Sequence, residues 1–519
     1  MSGDRILRPR VILNDDGSNF LYAWDDLGAD DLRAYLARLA DTHVDMVAWC
    51  VAFGGFVCYY QSEVAEAVGS GFGFSGRVTQ RRWAHNRERL RREAGDYTGA
   101  AFAILREMGI PALASFRMND AHMSSDPAGP VAGRFWMNHP EWRLGEPYGY
   151  YGSCLDYAVP AVRAILRRLV QEVVAKFPDI AGIELDGLRS PFFFKPDKGR
   201  DHAPLMTELV RQIRSDLDAA ARGRQRYLLR VNVPRTPDLA LECGIDVAAW
   251  AAEGLVDSIS PGCYNTDFEP AVEAWQALLG DRATVYPYLN CSPATAQYHS
   301  LEQYRAAADN AYAAGADGIY LFNFPCLDEL SGLLPRPLDA APFPPPPFRA
   351  QGWHPDLSRS RQALDELGDP QAVAAGDRHY LFYWATSPYR HYTPQPPRID
   401  RLAPEPAELT FRCHHLAHAA RIELKVKAVG VTIRDAFAFE LNGRPIAADR
   451  IQRLHAPGGR DARVHGVRLD PYSQFVLELG PGDLQSGGNL LRIALTECEP
   501  DLFSPIHLAE LELLVPVRP

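Results

Sequence analysis

The sequence lacks the marks of several protein classes. No apolar run is long enough to cross a bilayer as a helix, so a membrane partner is not expected. The nine cysteines are odd in number and scattered, with no Cys-x-x-Cys pair. A disulfide framework and a structural zinc site are therefore not expected. No basic block stands out beyond the run from Arg81-Arg82 to Arg91-Arg92, which reads as a solvated helix face. With 54 Lys and Arg against 65 Asp and Glu the formal charge is −11. Nucleic acid needs a clustered positive surface and is disfavoured as a partner. His-Glu-x-x-His, Gly-x-Ser-x-Gly and a Walker loop are missing, and no Gly-x-Gly-x-x-Gly turn follows the first strand. Met1-Ser-Gly-Asp-Arg-Ile-Leu7 has no apolar signal core. A cytoplasmic location is the expectation, with a trimmed secreted form as the alternative.

What is present is an alternation. Strand-like runs at Arg10–Asn14, Val44–Phe53, Ala112–Met118, Gly182–Leu188, Tyr227–Val233, Ser258–Gly262, Thr284–Asn290 and Gly318–Phe324 are separated by helical patterns such as Ala29–Thr42, Asn86–Met108 and Val159–Phe177. Strands alternating with helices imply parallel pairing through crossovers, and eight of them predict a (β/α)8 TIM barrel. A doubly wound open sheet is the alternative. The strands turn polar at their C-terminal ends, the face where barrels build active sites. Residues 335–375 then form a Pro-rich connector with a short helix. From residue 376 to 519, short alternating strands and turns such as Asn442-Gly443 predict a smaller all-β sandwich. The expected division is a catalytic barrel over 1–334 and an accessory sandwich over 376–519.

The sharpest chemical signal is Gly182-Ile-Glu184-Leu-Asp186-Gly-Leu-Arg189. Along a strand Glu184 and Asp186 point to one face, about 7 Å apart. Two carboxylates in a partly desolvated cleft have their pKa values pushed apart, as acid/base chemistry at a glycosidic bond requires. The competing reading is structural, with the acids paired to Arg189 or another strand-end base. Arg117, Asn119 and His122 at the end of the third strand are candidates to contact ligand, as are Arg189, Asn290 and Asn323. Asp120 ranks second among the acids. Arg230 and Asn232 share one face of the fifth strand. Asp267, beyond the sixth strand, is the reserve second carboxylate, although it also reads as a helix N-cap. Trp49, Trp136, Tyr264 and Tyr288 are candidate sugar platforms. Asn14-Asp15-Asp16-Gly17 lacks calcium-loop spacing and reads as a turn.

The strand-4 run, with Phe135-Trp-Met-Asn-His-Pro-Glu-Trp-Arg143, Leu155-Asp-Tyr-Ala-Val-Pro-Ala-Val-Arg163 and Gly254-Leu-Val-Asp-Ser-Ile-Ser-Pro261, resembles the glycosyl-hydrolase-like bacterial TIM barrels. The likeness spans roughly residues 10–330. It implies a glycoside hydrolase with a catalytic acid at Glu184 or Asp186. Retaining barrels with acids on strands 4 and 7 typically carry Asn-Glu on strand 4 and Glu on strand 7; here those positions hold Leu185-Asp186 and Asn290. A strand-4 acid paired with one near Asp267 fits better, by analogy with barrels acting on α-linked sugars. The reading is then glycosidic-bond hydrolysis in a glycan or oligosaccharide. Asp186 would be nucleophile or base, and Glu184 proton donor or modulator. No metal or organic cofactor is called for, and homo-oligomerisation is left open. The alternatives are a non-catalytic carbohydrate-binding barrel, or a lyase or isomerase acting on a uronate through Arg117 with Glu184 or His122 as base.

Overall fold

The computed structural model describes residues 8–23, 25–68, 78–122, 132–221, 223, 225–263, 266–290, 300–324, 357–383, 397–419, 421–456, 459–460, 468–469 and 471–517. Tyr264 and the proline stretch 335–355 lie outside them.

Nine parallel strands form the main path of the larger sheet, off which the short strands Val57–Cys58 and Glu66–Ala67 branch: β1 (Val11–Asp15), β2 (Val44–Phe53), β3 (Ala112–Arg117), β4 (Gly182–Asp186), β5 (Leu228–Pro234), β6 (Ser258–Gly262), β7 (Thr284–Val285), β8 (Tyr288–Asn290) and β9 (Ile319–Phe322). Their order is β8-β9-β1-β2-β3-β4-β5-β6-β7, and the sheet curls through 299°. The two ends of this path are consecutive in the chain, separated by Tyr286 and Pro287. Proline has no N–H to give a ladder, and the pairing changes partner there. Tyr286 N still donates to Ile259 O on β6 (2.9 Å), while Pro287 O accepts from Tyr320 N on β9 (3.1 Å). The single seventh strand expected from Thr284–Asn290 is thus two pieces serving two neighbours.

Helices run between the strands, among them Pro160–Lys176, Gly199–Ala221 and Leu301–Ala313. The expected Asn86–Met108 helix is two, Val78–Ala94 and Tyr97–Glu107. Gly95 takes a left-handed φ of 79° and Asp96 caps the second by accepting from Gly99 N.

Alternation sorts each strand. Val11, Leu13, Val47, Ile183, Leu185, Leu229 and Val231 join the core that includes the helices. Ile12, Met46, Ala48, Leu113, Tyr286, Tyr288, Tyr320 and Phe322 form a separate cluster on the concave side. On that side β3–β6 contribute polar groups instead: Ser115, Glu184, Arg230, Ser258 and Ser260. The concave face is therefore apolar on one arc and hydrogen-bonded on the other.

The C-terminal region is antiparallel. One sheet runs β10 (Arg378–Tyr383), β17 (Ile506–Val515), β12 (Ile422–Val429), β15 (Tyr472–Leu479) and β14 (Ile451–Ala456). The other runs β11 (Ala407–Cys413), β16 (Gly487–Glu497) and β13 (Ala436–Leu441). The strict in–out burial of β11 is that of a strand with one wet face. The two sheets resemble a small β-sandwich. β14 was not expected from sequence, because Ile-Gln-Arg-Leu-His-Ala has only two large apolar residues. Helix Leu301–Ala313 meets this region through Asp309, which accepts from Tyr380 OH and His415 Nδ1, both at 2.6 Å.

Candidate active site

The C-terminal ends of β1, β3, β4, β5 and β9 bring acids and arginines together. Gly54, just after β2, lets the β3 exit pack close: a Cβ there would meet Asp120 N at 2.4 Å. Arg117 ends β3 and is 5% exposed. Its guanidinium pairs with Asp16, just beyond β1, and with Asp120 at 3.0 Å. Asp120 also receives His122 N at 2.9 Å and the His122 ring at Nδ1. Burial pushes the Asp120 carboxyl up, but His122, Arg117 and Arg189 outweigh it and hold it well below the usual range. Asn323 follows β9 with a φ of 54°, a left-handed conformation that asparagine tolerates. Its side chain binds Asp16 and accepts from Asn19 Nδ2 at 3.2 Å.

Asp186 ends β4 and is 2% exposed. Its Oδ1 accepts from Leu188 N (3.0 Å) and Arg189 N (3.2 Å). Burial raises its pKa, opposed by the Arg117 charge, the Leu188 N–H, the Arg189 charge and Asn232. Arg189 is half-buried; its Nη2 lies 3.2 Å from His122 Nε2. The His122 side chain is 47% exposed, so this pair forms the wet edge of the cluster.

Glu184 lies one step deeper and is fully enclosed. It accepts from Ser115 Oγ (2.7 Å), Tyr320 OH (2.9 Å) and Arg230 Nε (2.9 Å). Arg230 in turn reaches Ser260 and lies 4.8 Å from the Tyr320 ring centroid. Burial pushes the Glu184 carboxyl up and Arg230 pulls it back. With three donors on it, this acid has no reach to a ligand, so the proton-donor role expected for it is corrected to an internal one.

Other expected contacts are also placed elsewhere. Trp49 is fully buried and faces outward, its ring 5.6 Å from Tyr97; β2 turns Met46 and Ala48 inward instead. The Asn119 amide is spent on the backbone of Leu155 and Phe192, clamping two loops. Trp136 donates Nε1 to Ser153 O (2.7 Å) beneath the Arg143 guanidinium. Tyr288 is stacked between Tyr320 and Phe322, 2% exposed. Asn290 is enclosed, and its backbone exchanges bonds with the Thr266 hydroxyl. Asp267 pairs with Arg235 and accepts from Glu269 N at 2.9 Å. It does not cap a helix, since the next one begins at Val272 after Ala271. Tyr264 lies outside the described residues.

Sequence reasoning passed over Tyr320, read Asp16 only as part of a turn, and did not place Arg230 against Glu184. Alternation from Asn14 to Asp16, and from Tyr320 to Phe322, was the available signal. Among the described residues no three metal-ligating side chains group together, and no helix is long and apolar enough to cross a membrane. A groove of about 590 Å³ lies at the opposite ends of β3–β5, lined by Phe102, Phe177, Tyr227 and the Arg106–Asp179 pair. It holds no clustered acids, so the chemistry is assigned to the C-terminal ends.

No protein-family profile and no curated protein matches the chain. Among solved structures, a bacterial fucosidase with a bound inhibitor is similar at 8% identity, over 96% of each chain, with a TM-score of 0.38. A class V chitinase of Pseudomonas fluorescens Pf-5 is similar at 12% identity, over 63% of this chain and 99% of its own, at 0.34. A Paenibacillus cycloisomaltooligosaccharide glucanotransferase is similar at 10% identity and 0.32; this chain covers 57% of its length. At these values the likenesses carry no argument about chemistry.

Proposed function

We propose that this protein is a glycoside hydrolase whose reactive carboxylate is Asp186. One observation carries the reading: an enclosed aspartate at the C-terminal end of a parallel strand, seated by two backbone N–H groups and flanked by two arginines, beside a half-open edge. Such a seat holds an ionised carboxylate in one orientation, as attack at an anomeric carbon or on water needs. The leaving oxygen takes its proton from solvent at that edge, because His122 gives its Nδ1–H to Asp120 and its Nε2, facing the Arg189 guanidinium, accepts. The curled sheet is the proposed barrel of residues 1–334, and residues 376–519 are the proposed accessory sandwich.

The test is a panel of aryl glycosides and oligosaccharides. Asp186→Asn loses turnover and His122→Ala slows it. The acidic limb of the rate profile lies above the usual aspartate range, because burial raises the Asp186 carboxyl. Unchanged turnover in Asp186→Asn overturns the assignment. A second reading, uronate cleavage by elimination, is favoured by the His122–Arg189 pair at the edge: a base held by Asp120 next to a cation suited to a carboxylate. It gives an unsaturated, ultraviolet-absorbing product, which hydrolysis does not.

A further inference from the structure

Asn232 ends one strand away from Asp186, paired with it in register across β4 and β5. It is fully enclosed. Its Nδ2 donates to Tyr320 OH at 3.0 Å, and its side chain also lies against Asp186. Among the described residues no group donates to its Oδ1. A buried amide oxygen without a donor costs free energy, so its orientation needs a cause.

The hydrogen bonds below it supply one. Glu184 is surrounded by three donors and pairs with Arg230, so it acts as an acceptor. Tyr320 therefore directs its proton at Glu184. Its oxygen is then left to accept, and the Asn232 group facing it has to be the NH2. The amide cannot be flipped without placing Oδ1 against a hydroxyl whose proton is already committed. One amide hydrogen serves Tyr320, the other is free for Asp186, and Oδ1 is turned away from both.

We propose that Asn232 is a ligand-binding residue whose amide Glu184 orients through Tyr320, so that Oδ1 accepts a hydrogen bond from a hydroxyl of the bound ligand beside Asp186. The ligand class is a polyhydroxylated molecule that offers an O–H donor at this depth. Asn14, at the end of β1, carries another enclosed amide oxygen without a donor, in keeping with an acceptor-rich floor. Glu184, Arg230 and Tyr320 are positioning residues. The proposal deepens the hydrolase reading and rests on it for the identity of the ligand, but not for the orientation of the amide.

Two measurements separate these. In protein labelled with 15N at asparagine, the Asn232 NH2 pair is assigned as the signal missing from Asn232→Ala. It should be two well-separated, slowly exchanging proton resonances that move together and exchange faster in Tyr320→Phe. An unchanged pair in Tyr320→Phe overturns the orientation argument whether or not any sugar binds. In calorimetric titrations with mono- and oligosaccharides, Asn232→Ala should weaken the best binder at least about tenfold, the scale for a buried acceptor lost. Tyr320→Phe should weaken it by about threefold to tenfold, and Glu184→Gln should add little in the Tyr320→Phe background because the two act in series. Equal affinity in Asn232→Ala overturns the ligand role, and additive losses in the double variant overturn the positioning of the amide by Glu184 through Tyr320. If no sugar binds the wild type while the NH2 signals respond as stated, the hydrolase reading fails and the relay stands. If Glu184→Gln does not fold, Tyr320→Phe alone decides, since it removes one oxygen and leaves the Glu184–Arg230 pair intact.

Discussion

Two ion pairs, one in each region, are equally enclosed and differently used. Arg230–Glu184 in the curled sheet and Arg401–Asp435 in the antiparallel region both have side chains no more than 1% exposed. Arg401 and Asp435 spend their remaining capacity on loop backbone: Gly430 O, Ser504 O, Thr432 N and Glu499 N. That pair staples turns. Glu184 instead meets side chains that lead through Tyr320 and Asn232 to Asp186. A buried pair is weak evidence of stabilisation by itself, because desolvation offsets the attraction. What distinguishes the two is where the second layer of hydrogen bonds goes, and this difference can be broken by mutation.

The largest expected effect divides the regions outright. Asp186→Asn should lower kcat by about 10³-fold or more, the scale for loss of a reacting group, with little change in Tm. Asp435→Asn should do the reverse and destabilise by about 3 kcal/mol through an uncompensated buried arginine, with turnover kept at temperatures below unfolding. Kinetics and thermal melts on the same preparations check both. A shared loss of turnover would erase the distinction.

Next in size is the platform itself. Glu184→Ala leaves Arg230 enclosed and unpaired, and urea unfolding should show a loss of about 3–5 kcal/mol. Replacing both partners, Glu184→Leu with Arg230→Met, should recover much of that stability, as apolar replacement of buried pairs often does. Ligand affinity should stay low, because the Asn232 amide is then unheld. Recovery of both would reduce Glu184 to a packing residue.

Much of the larger sheet was legible in sequence, because alternation of strand and helix patterns states a parallel crossover fold directly. Its partner change at Pro287 was not, although proline inside a strand announces a missing donor. The site was legible in kind and misjudged in detail. Period-two alternation put Glu184 and Asp186 on one face correctly but says nothing of depth. Two residues of a strand are enough to move a carboxylate from the cleft to the floor. Trp49 shows the other limit: which phase of β2 faces inward is decided by Met46 and Ala48 joining the concave cluster that includes Ile12 and Tyr320, a long-range fact. Asn119 looked like a ligand contact because loop amides often are; here two loops, at Leu155 and Phe192, converge on it.

A smaller effect separates the regions by pH. Glu269, half-buried near Arg412 of the antiparallel region, has its carboxyl pushed up to about 7 by burial and by Asp267, against Arg235 and Arg412. Its folded form holds the proton more tightly than the unfolded chain does. It therefore costs stability as pH rises from the ordinary glutamate range to about 7, and the cost is constant above that. Asp435 is the opposite case: burial is outweighed by Arg401 and two backbone donors, its pKa is depressed, and its contribution is lost as pH falls through the acid range. Glu269→Gln should therefore be more stabilising at about pH 8 than at about pH 5, read as Tm against pH. An equal shift at both would show that Glu269 titrates like an exposed glutamate.

The smallest effect concerns the contact between the regions. Asp309 is enclosed, takes donors from Tyr380 and His415, and forms an ion pair with Arg378 at 3.5 Å. His415 is the exposed member, its side chain 54% accessible, so solvent already competes for its bond. His415→Ala should cost under about 1 kcal/mol, as half-exposed pairs do. Tyr380→Phe should cost more, about 1–2 kcal/mol, because it takes a donor from a carboxylate that water cannot reach. Both are read from thermal unfolding at neutral pH, where one donor and the Arg378 ion pair remain to Asp309 in either variant. If His415→Ala proved as damaging as Asp435→Asn, the contact would be a staple of the same rank as the turn pair, and the two regions would melt as one unit.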